Sequence, residues 1–137
     1  AHPEFFGEEL TRRLVQGRET TGTAYSRSLE WAQRWRSTLA QTFQRVDVVV
    51  TPTVPISAPM IRVMPRVAGK PSLTEFTRPW CLARGPSLNV PIGFARHSPV
   101  GMLVNGPPGA EDLVLSVGEA FQGATDWHGH RPVATVA

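Results

Sequence analysis

FTRPWCLARGPSLNVPIGFARHSPVGMLVNG, residues 76–106, carries two strands and the turn that joins them. It opens irregularly and enters a strand through Gly85-Pro86. Ser87-Leu88-Asn89-Val90-Pro91 forms the body of that strand, Arg96 to Pro99 a turn, and Val100-Gly101-Met102-Leu103-Val104 the start of a second. Strands are therefore predicted over 87–91 and 100–105. The remainder reads as helix and loop arranged to cover this pair.

Upstream, Phe6, Leu10 and Leu14 recur every four residues, with Pro3 suited to a first helical turn and Gly17 to a stop. Glu8 and Glu9 lie early and Arg12 and Arg13 late, as the helix dipole favours. This predicts a helix over 3–16. A second helix, over 21–44, is capped by Thr20 or Thr21. Its stripe of Ala24, Ser28, Ala32, Trp35, Leu39 and Phe43 keeps the helical period and makes Trp35 a packing residue. Val46 to Thr51 reads as a strand that Pro52 ends. Its consecutive valines, without alternation, predict cover on both faces.

From Pro52 to Pro91 the chain carries eight prolines, and 52–86 reads as one Pro-rich loop. Loops beyond ~12–15 residues are uncommon in compact domains. This one is expected to wrap over a layer supplied from elsewhere, which makes the chain part of a larger domain. Missing cover also predicts exposed apolar surface and association. Downstream, Glu111 and Asp112 open a helix over 111–122, with Leu113, Val114, Val117, Ala120 and Phe121 on one face and Gly123 as its stop. The tail from Ala124 reads as loop.

Composition narrows the function classes. The 14 Lys and Arg residues include a single lysine, Lys70, and the arginines are scattered rather than gathered into a basic run with aromatics. That pattern argues against nucleic acid as a partner. No apolar run reaches the ~18 residues of a membrane span, so no membrane role is expected. Cys81 is the only cysteine, which suits a reducing, cytoplasmic compartment.

No nucleophile with its base is evident in the sequence. No GxSxG elbow occurs, Ser87 sits at a strand start, and Lys70 lies in a Gly-Lys-Pro turn. Asp126, His128 and His130 group in the tail but lack a third firm ligand beyond the His pair, so no metal site is assigned. Cys81, near Arg78 and Arg84, reads as a half-buried structural thiol rather than a nucleophile. Gly106-Pro107-Pro108-Gly109 has prolines where a phosphate loop needs N–H donors, and no cofactor is expected.

Five pieces in order carry a family resemblance: the two helices after His2, DVVVTPTVPISAP at Asp47 to Pro59, PSLNVPIGF at Pro86 to Phe94, PVGMLVNGPPGAEDLVLSVGEAFQ from Pro99, and ATDWHGHRP at Ala124 to Pro132. Together they resemble the C-terminal portion of the amidase-signature hydrolases. The resemblance implies an α/β fold, a mixed sheet covered by helices. It also implies hydrolysis of non-peptide carbon–nitrogen bonds in small amides by a Ser–cis-Ser–Lys triad. That triad belongs to an upstream region, so no catalytic residue is carried over here.

The TPT and WCL segments match places where the family lines its substrate pocket, which nominates Thr53, Pro55, Trp80 and Cys81. The family often has Asn where Cys81 stands, Gly where Arg84 stands and Gln where Leu103 stands. A thiol in place of an amide removes hydrogen bonds to a substrate, which points to unusual substrates or to a degenerate copy. The resemblance implies a partner in the missing N-terminal amidase region or in a homo-oligomer. The rival reading is an inactive, amidase-like binding or assembly module.

Overall fold

The computed structural model describes residues 5–59, 73–96 and 98–131. The chain divides into two units, residues 1–35 and 36–137. Pro3 and residues 60–72 of the Pro-rich loop, including Lys70, lie outside the described residues.

In the first unit, α1 (Glu8–Arg18) starts after Gly7, whose backbone is extended. The Glu9 carboxylate accepts hydrogen bonds from Arg12 at 3.0 Å and Arg13 at 2.7 Å. Such exposed pairs contribute about 0.3–0.5 kcal/mol each. The helix passes through Gly17, the expected stop, because one glycine in a last turn costs only about 1 kcal/mol. It ends where the Glu19 N–H turns back to the Gln16 carbonyl and the Thr20 N–H to that of Gly17. The stripe of Phe6, Leu10 and Leu14 is exposed, and α1 buries no residue.

α2 (Gly22–Thr42) is capped as expected: the Thr21 hydroxyl accepts from the Ala24 N–H at 3.2 Å. Its apolar stripe is real but unevenly covered. Ala32 and Leu39 are buried, Trp35 and Phe43 are half-buried, and Ala24 and Ser28 are exposed. Trp31 lies off the stripe with the Arg34 guanidinium 5.6 Å above its ring, a stacking that stabilises by about 0.5–1 kcal/mol at an exposed site.

In the second unit, β1 (Val49–Pro52), β2 (Ser87–Ala95) and β3 (Ser98–Asn105) form an antiparallel sheet in the order β1-β3-β2. The first strand starts three residues later than the valine run suggests. The N–H groups of Gln44, Arg45 and Val46 are still bonded back to Gln41 and Thr42, which holds the chain in turns. β1 is an edge strand whose residues alternate between half-buried and exposed. The expected cover on both faces is therefore absent among the described residues, and Val50 is 49% exposed. Pro52, opposite Met102, is tolerated because an edge strand leaves one row of N–H positions unused.

β2 runs four residues past Pro91, where the sequence suggests an end. Pro91 has no N–H to donate, and the register slips between Pro91 and Gly93 so that Ile92 bulges. Gly93 takes φ +139, and a Cβ there would sit 3.7 Å from the Trp127 indole. Pro99, read as turn, lies in β3 opposite Phe94, beyond the reach of the short β1. The turn itself is tight, with Arg96 at φ 48 between Ala95 and its partner Ser98.

α3 (Arg78–Ala83) is a helix inside the stretch read as loop. Pro79 sits in its first turn, where a missing N–H costs nothing, and Trp80 and Ala83 are buried. It ends at Arg84, in the left-handed conformation with φ 63. The next residue, Gly85, packs its backbone against the Gly106 carbonyl, where no Cβ fits.

α4 (Glu111–Ala124) covers one face of the sheet. Val90, Val104 and Val114 are the buried centre, with Leu88, Met102, Val117 and Phe121 packed around them. Gly118 lets the helix approach Leu88, whose Cδ2 would overlap a Cβ. The buried helix face is thus Val114, Val117, Gly118 and Phe121, while Leu113 and Ala120 are exposed. The helix runs past Gly123 to Ala124, followed by a single 3-10 turn at Trp127–Gly129 in the tail. The architecture is mixed α/β, with helices and a small antiparallel sheet, one face of which α4 covers.

Candidate functional site

Side chains alternate across a strand, so the face of the sheet opposite α4 carries Ser87 and Asn89 from β2, Gly101, Leu103 and Asn105 from β3, and Val49 and Thr51 from β1. That face carries four polar side chains beside Leu103 and Val49, where its partner face is aliphatic. At one end Thr53, just beyond β1, donates its N–H to the Gly101 carbonyl at 3.0 Å. Its hydroxyl donates to the Asn89 Oδ1. The bond crosses the central strand over Gly101, where a Cβ would overlap Asn89 Oδ1 and lie 2.9 Å from Thr53 Oγ1.

At the other end Asn105 is wholly buried. Its Oδ1 accepts from the Ser87 hydroxyl at 2.7 Å, and its Nδ2 donates to the carbonyls of Val49 at 3.0 Å and Leu103 at 3.2 Å. One amide thus ties all three strands. Between the two ends, the Thr51 hydroxyl is buried with no hydrogen-bond partner among the described residues. A buried hydroxyl left unbonded costs about 1–3 kcal/mol.

The four nominated pocket residues fall into two groups. Thr53 belongs to the polar face, and Pro55, half-buried, lies two residues further along the bend that leaves β1. Trp80 and Cys81 are on α3 instead. Trp80 is buried, whereas Cys81 is exposed rather than half-buried. In a six-residue helix two consecutive side chains point about 100° apart, so burial of Trp80 turns Cys81 outward.

Asn89, Asn105 and Thr51 escaped the sequence reading. The available signal was parity: Ser87 and Asn89 alternate with Leu88 and Val90, which marks a polar face opposite an aliphatic one.

A cleft of about 530 Å³ lies in the second unit, between the last turns of α2, the end of α3 and the loop after β3. Leu39, Phe43, Ala83 and Pro107 give it apolar walls, with Arg36 and Arg84 among its lining residues. In the tail, His130 packs against Trp127 and Phe94, with ring centroids 5.4 and 5.6 Å away. Among the described residues no three His, Cys, Asp or Glu side chains gather as a metal would require. No helix among them is long and apolar enough to cross a membrane.

The sequence and this mixed α/β architecture define a class. Residues 1–115 match the family described as Amidase, and the chain belongs to that family. Among curated relatives, the A subunit of the Chromohalobacter salexigens glutamyl-tRNA(Gln) amidotransferase is 34% identical over 134 residues, covering 94% of this chain and 28% of that protein. Its namesake from Chloroflexus aggregans is 35% identical over 133 residues, covering 93% and 27%. The chain therefore spans little more than a quarter of the length of these relatives.

Solved structures agree. An amidase superposes with a TM-score of 0.79 at 25% identity, over 90% of this chain and 30% of that one. The A subunit of the Thermotoga maritima glutamyl-tRNA(Gln) amidotransferase gives 0.74 at 28% identity, over 96% and 31%.

Proposed function

We propose that this chain is the C-terminal portion of an amidase. In this reading it supplies sheet scaffold and part of the substrate pocket for hydrolysis of a non-peptide amide bond. The Ser–cis-Ser–Lys triad comes from an upstream region, joined to this chain covalently or as a partner, and the reaction takes place in the cytoplasm. What carries the reading is the match to about 28% of full-length relatives together with the polar sheet face. The accessible end of that face, Asn89 with Thr53, offers a bound amide polar partners without an activated nucleophile, while the buried Asn105 ties the strands beneath it. Thr53, Pro55, Trp80 and Cys81 line that pocket in this proposal, and Asn89 orients Thr53.

The test is complementation. This chain is produced alone, and also together with the remaining N-terminal region of the Chromohalobacter salexigens relative, and ammonia release from benzamide and from glutamine is followed. The proposal expects release only from the pair. Release from this chain alone, or none from a pair that co-purifies, would overturn it. The second outcome would favour the binding-module reading, which the exposed apolar stripe of α1 also suits.

A further inference from the structure

We propose that the cleft bounded by α2, α3 and the loop after β3 binds an amphipathic monocarboxylate, an acid with an aryl or short alkyl body. The inference is independent of any triad, and it rests on three features of the second unit.

The first is chemistry. Leu39, Phe43, Ala83 and Pro107 offer apolar walls, and the cleft, at about 530 Å³, is in the range that holds a small ligand. Two guanidinium side chains, Arg36 and Arg84, line the same cleft, and among the described residues no carboxylate does.

The second is that no carboxylate among the described residues pairs with Arg36 or Arg84. Among the described residues the ion pairs belong to Glu9, with Arg12 and Arg13. Arg36 spends one N–H on the Leu82 carbonyl, at 3.3 Å, and keeps its other donors. A guanidinium fork beside apolar walls matches a carboxylate attached to a hydrocarbon, because the fork is planar and weakly hydrated.

The third is backbone strain at one of the two cations. Arg84 holds φ 63 at the end of α3, a conformation that glycine adopts without penalty and arginine does not. Strain kept at a ligand-facing position is expected when the side chain has a task.

The probes are 4-phenylbutyrate and its neutral analogue 4-phenylbutanamide, titrated calorimetrically into the full chain at low salt. The acid is expected to bind at least tenfold more tightly than the amide, with added salt weakening the acid alone. Arg36→Gln and Arg84→Gln should each reduce affinity for the acid severalfold and leave the amide unchanged. Arg84→Gly separates binding from structure: it relieves φ 63, so the thermal midpoint should rise while the preference for the acid falls. Equal affinities, no binding of either probe, or an undiminished preference in the Arg84 variants would overturn the proposal. Any of these would make the cleft a packing surface.

Discussion

Thr53 and Asn89 belong to segments on opposite sides of the central strand, and their side chains hydrogen bond across it over Gly101. The bond exists only because position 101 has no Cβ. It joins the end of β1 to β2, two segments that share no direct ladder. The Thr53 hydroxyl, just beyond β1, is thus tied to the sheet by its bond to Asn89 and by its own N–H to the Gly101 carbonyl.

Gly101→Ala should therefore destabilise the chain by about 1–3 kcal/mol, the usual cost of forcing a methyl into filled space. In an Asn89→Ala background the same change should cost less than half as much, since the main obstacle has gone. Denaturant midpoints for the four members of this cycle check the coupling. Equal penalties in both backgrounds would place the strain elsewhere.

Asn105 makes a different prediction. Replacing it with Ala leaves the Val49 carbonyl and the Ser87 hydroxyl without their bonds, for a loss of about 2–4 kcal/mol. Ser87→Ala combined with Asn105→Val removes the hydroxyl and fills the space, and should recover part of that loss. Chemical denaturation of both variants measures the difference.

Thr21 tests the capping of the long helix. Thr21→Ala removes the acceptor for the Ala24 N–H and should cost about 1 kcal/mol. Thr21→Asp should retain the cap. Thermal unfolding and helicity by circular dichroism report both.

Cys81 is exposed on α3, so a thiol reagent should modify the native chain stoichiometrically, at a rate near that of the unfolded chain. Slow labelling that accelerates only in denaturant would mean that the thiol is covered in solution.

The strand pair around the Arg96 turn was legible because β-branched and aliphatic residues there are punctuated by Gly-Pro and by a turn. The long α2 was legible from its stripe, with its cap narrowed to Thr20 or Thr21. Boundaries were less so. Pro91 reads as a terminator, and only the bulge at Ile92 lets the strand continue. α3 stayed hidden because six residues among prolines do not establish a period, and burial of Trp80 and Ala83 stabilises it instead.

The polar face was partly hidden for a related reason. Thr53 entered through family likeness, whereas Asn89 and Asn105 gain meaning only from cross-strand register, which a single strand's sequence does not contain. Burial is a tertiary property too, and Cys81 shows it: its exposure follows from which side of α3 Trp80 occupies.

The most direct test of the central claim is the intact mass of the chain after exposure to a fluorophosphonate probe, alone and joined to an N-terminal amidase region. No adduct is expected on this chain in either state, and a single adduct on the N-terminal region of the complemented protein. An adduct on a serine of this chain would contradict it, because the nucleophile would then lie within these 137 residues.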